Sequence, residues 1–374
     1  MARKHRWDEQ RMELDSAATY IQEAVAAAQL HTFAVPHIIV DDIFPASLVA
    51  QINENWPDYE DGFIPEVPGN HILQLRHTKI RRMAEPRRAF WQCFEKVLWP
   101  TVIAAASEAL AGPLSTVFGE NYYSRLSLAR PLTVMQADPT YPGHDMHTHF
   151  YHCPHWAFTM LLYIDPEDIY SRGTGVHQLL GSNGIGDRQT SYRTDDLDWR
   201  VEVAMDTFHW FDKQKPDRHY SDRIINYKAN RLFVFMDGPL ALHSVPLDKS
   251  DRQPNPARAN DSGRRARRRI IRSHLMLDER AFYAKHSRML PEPITLARYA
   301  RIMAPNAVLS ESDRQYRNHV LRLFFRERLQ AYGRAAESDS PRVADRQRPF
   351  GEGYYTQGKY GIGAYLRAML GRAV

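Results

Sequence analysis

Residues 144–155 read His-Asp-Met-His-Thr-His-Phe-Tyr-His-Cys-Pro-His, so five of these twelve residues are histidine and one is aspartate. Imidazole nitrogens are common ligands of first-row divalent metals. Two residues one apart on an extended chain point to the same face. His147 and His149 are therefore expected to reach one metal together. Asp145 lies two residues to the other side of His147 and offers a substitute carboxylate ligand. The third ligand must come from elsewhere. His243, in Phe235-Met-Asp-Gly-Pro-Leu-Ala-Leu-His-Ser-Val245, follows the strongly β-like run Arg231 to Met236 and is the best candidate.

Two histidines and one carboxylate on one face leave three metal positions open, the facial arrangement of non-haem Fe(II) oxygenases. Those positions suit a bidentate 2-oxo acid and then O2. A 2-oxoglutarate bound there needs a cation for its distal carboxylate, and an arginine supplies a planar fork that keeps its charge. Arg269 and Arg272 lie in the run Arg267 to Leu277. Alternation groups Arg269 with Ile271, Ser273, Leu275 and Leu277, and Arg272 with Ile270, His274 and Met276. The first set looks more like a barrel interior, so Arg269 is the expected anchor and Arg272 the alternative.

These residues need elements to hold them. From about residue 121 the chain is a series of short β-like runs: Leu126 to Ala137, Trp156 to Ile164, Gly175 to Leu180, Val201 to Met205, Arg231 to Met236 and Arg269 to Leu277. Turn-rich segments separate them, a pattern of sandwiches and barrels rather than βαβ units. Before this, 1–120 reads as mainly helical, with Ala17, Ile21, Ala24, Val25 and Ala28 at helical spacing; Phe33 to Val40 reads as a strand. After it, 279–374 reads as a helical extension whose Leu296, Tyr299, Ile302, Val320, Leu323 and Phe324 pack on the barrel or on a second subunit. The segment 248–268 holds almost nothing apolar and is expected to be a flexible, Arg-rich loop within the core region 121–278. The predicted class is α+β: a double-stranded β-helix (jelly-roll, cupin-like) core between N-terminal and C-terminal helices.

Composition removes several alternatives. Two cysteines, Cys93 and Cys153, make neither a disulfide framework nor a Cys-x-x-Cys zinc motif. Such usage fits a reducing, cytoplasmic compartment. No apolar stretch has the length of a membrane span. The net charge of +5 comes largely from one arginine run, 264–269, which reads as a solvated loop, so nucleic acid is not an expected partner. Gly181 to Gly186 lacks the strand and helix that a phosphate loop requires.

In order along the chain stand His147-Thr-His149, then Phe158 to Ile164, Gly173-Thr-Gly175, His243-Ser-Val245, and Arg269 or Arg272. Upstream, Pro36 to Pro45 and Trp56-Pro57 add an opening segment. Over roughly residues 33–280 this order resembles the Fe(II)/2-oxoglutarate oxygenases of the prolyl-hydroxylase-like and phytanoyl-hydroxylase-like type. The resemblance implies Fe(II) as cofactor, with 2-oxoglutarate and O2 as co-substrates; a small or sugar-containing molecule is the expected substrate and hydroxylation the expected oxidation. One position departs from the family pattern: His149 stands where the family has aspartate. The centre is then a three-histidine site, a site completed by Asp145, or a degraded one. Two further functions follow from the same departure. One is a three-histidine, cupin-type dioxygenase that does not use 2-oxoglutarate; the other is a non-catalytic ligand-binding barrel.

Overall fold

The computed structural model describes residues 16–120, 122, 126–128, 131–138, 141, 143–147, 156–165, 173–179, 198, 201, 202, 205, 220–239, 241–245, 268–277, 294–303 and 307–337. Helix α1 covers 16–26 and buries Ala17, Ile21 and Val25 at four-residue steps, one stripe of the helix. Strands β1 (Leu30–His31) and β2 (His37–Val40) follow, then helix α2 (Ala46–Glu54). A hairpin comes next, β3 (Ile64–Val67) and β4 (Asn70–Gln74). This hairpin was not among the expected elements of the first 120 residues, where helices still predominate among the described residues. Pro68-Gly69 supplies its turn, with Gly69 at φ 76°. Helices α3 (His77–Ile80), α4 (Arg87–Cys93), α5 (Trp99–Ala109) and α6 (Ala111–Phe118) complete this half, with a π-helical turn at Phe94–Leu98.

Nine strands then follow among the described residues: β5 (Leu126–Leu128), β6 (Thr133–Ala137), β7 (His144–His147), β8 (Trp156–Tyr163), β9 (Thr174–Leu179), β10 (Tyr220–Ile225), β11 (Arg231–Met236), β12 (Leu242–Val245) and β13 (Arg268–Leu277). Helices α7 (Leu296–Met303) and α8 (Glu311–Glu337) end the described chain. The run Val201 to Met205 is not a strand: residues 201, 202 and 205 are helical. Val201 and Met205, both buried, are four apart and share a helix face. Apart from Arg268, the Arg-rich segment 248–268 lies outside the described residues.

The strands form two antiparallel sheets. The larger has the order β1-β2-β11-β8-β13-β6-β4-β3, with β5 also on β13; the smaller has the order β10-β9-β12-β7. Between β6 and β13 the chain passes back and forth between them. β6, β8, β11 and β13 join the larger sheet, and β7, β9, β10 and β12 the smaller. Eight strands so divided are a double-stranded β-helix, the expected core. β1 to β4 widen its larger sheet, so the N-terminal region is woven into the core.

The two faces of the larger sheet differ. Phe158, Met160 and Leu162 of β8, with Ile271 and Leu275 of β13, enter the main apolar core. There Trp99 of α5 donates from Nε1 to Ser273 Oγ at 2.6 Å, tying the helices to β13. The opposite face looks toward the smaller sheet. The Tyr163 hydroxyl meets Thr174 Oγ1 of β9 at 2.6 Å, a bond between sheets. Ile72, Met135, Tyr163 and Ile270 make a separate apolar cluster on this side. Gly173, at φ 99°, opens β9 where no side chain fits: a Cβ there would lie 1.9 Å from the Ile225 carbonyl oxygen. No single helix among the described residues is long and apolar enough to cross a membrane.

Candidate metal centre and its surroundings

β7 and β12 are neighbours in the smaller sheet, and their register sets His243 opposite His147. Opposed residues of an antiparallel pair share one face, with Cβ atoms about 5 Å apart. This is a suitable base for two ligands of one metal. His243 is buried, and its Nδ1 lies 3.0 Å from the Ala241 carbonyl oxygen. A carbonyl only accepts, so Nδ1 carries the proton of the neutral ring and Nε2 holds the lone pair. Metal-binding histidines are commonly oriented by such a bond on the second nitrogen. The Phe235 ring packs against His243 with centroids 4.9 Å apart.

The next pair on these strands is Val245 with His144, so the register shifts between the two pairs. A shift of this kind is a bulge, and it breaks strict alternation. Asp145 stands on β7 between these two pairs. His149 lies outside the described residues. Among the described residues no three His, Cys, Asp or Glu are placed to hold a metal. The donor type at His243 still fits a borderline metal such as Fe(II).

The structure places the two candidate arginines on opposite faces of β13. Arg269 sits on the helix-facing side of β13, opposite Gln136 of β6. Its guanidinium lies over the Trp56 ring, 5.3 Å from the centroid, and 3.6 Å from Asp165 Oδ1. Arg272 occupies the inter-sheet face, alternating with Ile270 and His274. Its Nη2 donates to Glu66 Oε1 of β3 at 2.8 Å. Arg268 shares that face, is buried, and lies opposite the small Ala137. Alternation along β13 is as expected, but the more apolar face is the one under the helices. The same alternation puts Arg268 with Arg272.

Three further residues, Thr159, Asp237 and His274, come together on this face. Thr159 of β8 lies opposite His274 of β13 and opposite Phe235 of β11. Its Oγ1 is 2.8 Å from His274 Nδ1 and 2.8 Å from Asp237 Oδ2. Trp156 stacks on His274, centroids 4.5 Å apart and 27° between planes. Asp237 is fully buried; burial pushes its carboxyl up to about 7, against the Thr159 hydrogen bond and the charge of Arg328. Arg328 of α8 donates to the Asp237 backbone carbonyl and lies over Phe118. In the sequence Asp237-Gly-Pro reads only as a turn after a strand. His274 is already grouped with Arg272 there, and that was its only signal.

No family model matches this chain, and no curated protein matches it. Solved structures do show likeness. A prolyl 4-hydroxylase structure from Phytophthora capsici is 14% identical, covering 85% of this chain and 77% of its own, with a TM-score of 0.40. A Trichoplax adhaerens prolyl hydroxylase in complex with a hypoxia inducible factor peptide is 12% identical, covering 73% of this chain and 94% of its own, at 0.38. A Pseudomonas putida prolyl-4-hydroxylase is 13% identical, covering 69% of this chain and 99% of its own, at 0.35. The fold is assigned on the strand order of the two sheets, which is that of a double-stranded β-helix.

Proposed function

We propose that this chain is a non-haem Fe(II)/2-oxoglutarate-dependent oxygenase that oxidises a small or sugar-containing molecule. The observation that carries this reading is the pairing of His147 with His243 inside a double-stranded β-helix. His147, His243 and a third group, His149 or Asp145, would hold the iron. Bound iron, with 2-oxoglutarate and O2, would supply the oxidation, releasing succinate and CO2.

The protein's own part is to bind, orient and shield. The Ala241 carbonyl fixes the His243 ring with Nε2 as donor atom. Arg272 would take the distal carboxylate of the oxo acid, at the cost of its bond to Glu66. Arg268 gives the same face a second positive charge, which favours a dianion. Phe235, Leu161 and Ile270 keep this space apolar, which strengthens each charged contact.

Anaerobic addition of Fe(II) and then 2-oxoglutarate to the metal-free protein tests the reading. The expected result is a weak visible charge-transfer band that needs both additions. Iron binding without that band favours the three-histidine dioxygenase, which His149 at the family's carboxylate position supports. A chain that binds no iron is not an oxygenase of this type.

A further inference from the structure

Thr159 has one hydroxyl proton and two hydrogen-bond neighbours, Asp237 Oδ2 and His274 Nδ1, each at 2.8 Å. It can donate to only one of them. If it donates to an ionised Asp237, it must accept from His274, whose Nδ1 then carries the proton. If it donates to His274 Nδ1, Asp237 must be protonated and donate to Thr159. In the second order the neutral His274 ring carries its proton on Nε2.

We propose that Asp237, Thr159 and His274 form a proton relay through which His274 takes up a proton at Nε2 and passes the charge to Asp237. The protons balance. One arrives at Nε2 from an O–H or N–H group of a molecule held between the sheets. The Nδ1 proton moves to Thr159 Oγ1 as the Thr159 proton moves to Asp237 Oδ2. The ring stays neutral and the carboxylate becomes a carboxylic acid. Reversal returns the proton.

Several features suit the three residues to this work. Asp237 is 0% exposed, so either charge state is isolated from water. Burial raises its carboxyl toward neutrality, so a protonated Asp237 is accessible to the relay. The Trp156 ring holds the imidazole plane. Arg328 holds the Asp237 backbone and is the cation that opposes protonation there. The group lies beside the candidate metal centre, because Phe235 both faces Thr159 across the strands and touches the His243 ring. The relay needs neither iron nor 2-oxoglutarate, so its test is independent of the proposed oxygenase activity.

The experiment is nitrogen-15 NMR of the full chain with labelled histidines and no added metal, with His274 assigned by His274→Gln. Between about pH 5 and about pH 9, the expected result is a tautomer exchange. The ring stays neutral, with its proton on Nδ1 at high pH and on Nε2 at low pH. An infrared band of a protonated carboxyl, absent in Asp237→Asn, should grow in the same range. Thr159→Val should abolish the exchange and Thr159→Ser should keep it. An imidazolium at low pH, a single fixed tautomer, or an unchanged exchange in Thr159→Val would each overturn the relay.

Discussion

His243 and His147 are direct cross-strand partners on β12 and β7, and the His243 ring is held by the Ala241 carbonyl on its Nδ1 side. That bond orients the ring before any metal arrives.

The first prediction follows from this pairing. His243→Ala and His147→Ala should each abolish stoichiometric Fe(II) binding, measured by metal analysis after anaerobic loading and desalting. Iron retained at one equivalent in either variant would remove that residue from the ligand set.

The second concerns the two faces of β13. Arg272→Ala should weaken 2-oxoglutarate binding by about tenfold to a hundredfold, the loss expected for hydrogen bonds to a charged group. Arg269→Ala should leave that affinity unchanged and lower stability, because its guanidinium packs over Trp56 and lies near Asp165. Titration of 2-oxoglutarate into the Fe(II)-loaded variants decides the matter. Equal loss in both would mean that the inter-sheet face is not where the oxo acid binds.

The contrast between these two arginines shows what the sequence could and could not reveal. Most strands of the core were legible, because apolar and β-branched runs such as Phe158 to Ile164 and Arg231 to Met236 stand between clear turns. The inward face of β13 was not legible. This strand is central and buried on both sides, and its outer side, where Trp99 of α5 bonds Ser273, is the more apolar one. Judging the interior by apolarity therefore selected Arg269. Asp237 and Thr159 were illegible for another reason: their bond joins residues 78 positions apart, and each alone looks like ordinary sheet or turn.

A third prediction concerns the tie between helix and strand. Ser273→Ala should destabilise the protein by about 1–3 kcal/mol, the cost of leaving the buried Trp99 Nε1 without its acceptor. The affinity for 2-oxoglutarate should hold, because Ser273 faces the helices. Urea unfolding gives the stability change, and the titration above gives the affinity. A large affinity loss would show that α5 positions the β13 residues on the other face.

The last prediction is a crossing of two pH dependences. His37 is buried beneath the His31 ring and beside Phe233. Burial, with His31 and Arg223 nearby, pushes its pKa down to about 4, against a raising bond from Val35. The unfolded chain thus binds the His37 proton more tightly than the native state. Stability from this group is present above its usual value of 6.5 and is lost as pH falls toward 4. Asp237 works in the opposite sense. Its native carboxyl, raised to about 7 from 3.8, holds a proton that the unfolded chain has released. Its contribution is complete at low pH and disappears as pH rises through about 7. Between about pH 4 and 6.5 the two slopes oppose each other, each on the order of 1.4 kcal/mol per pH unit. Removing one should expose the other. His37→Gln should leave a stability that falls steadily as pH rises, and Asp237→Asn one that climbs over the same range. Urea midpoints measured across the series read both slopes, and parallel curves for the two variants would show that neither group titrates as its burial dictates.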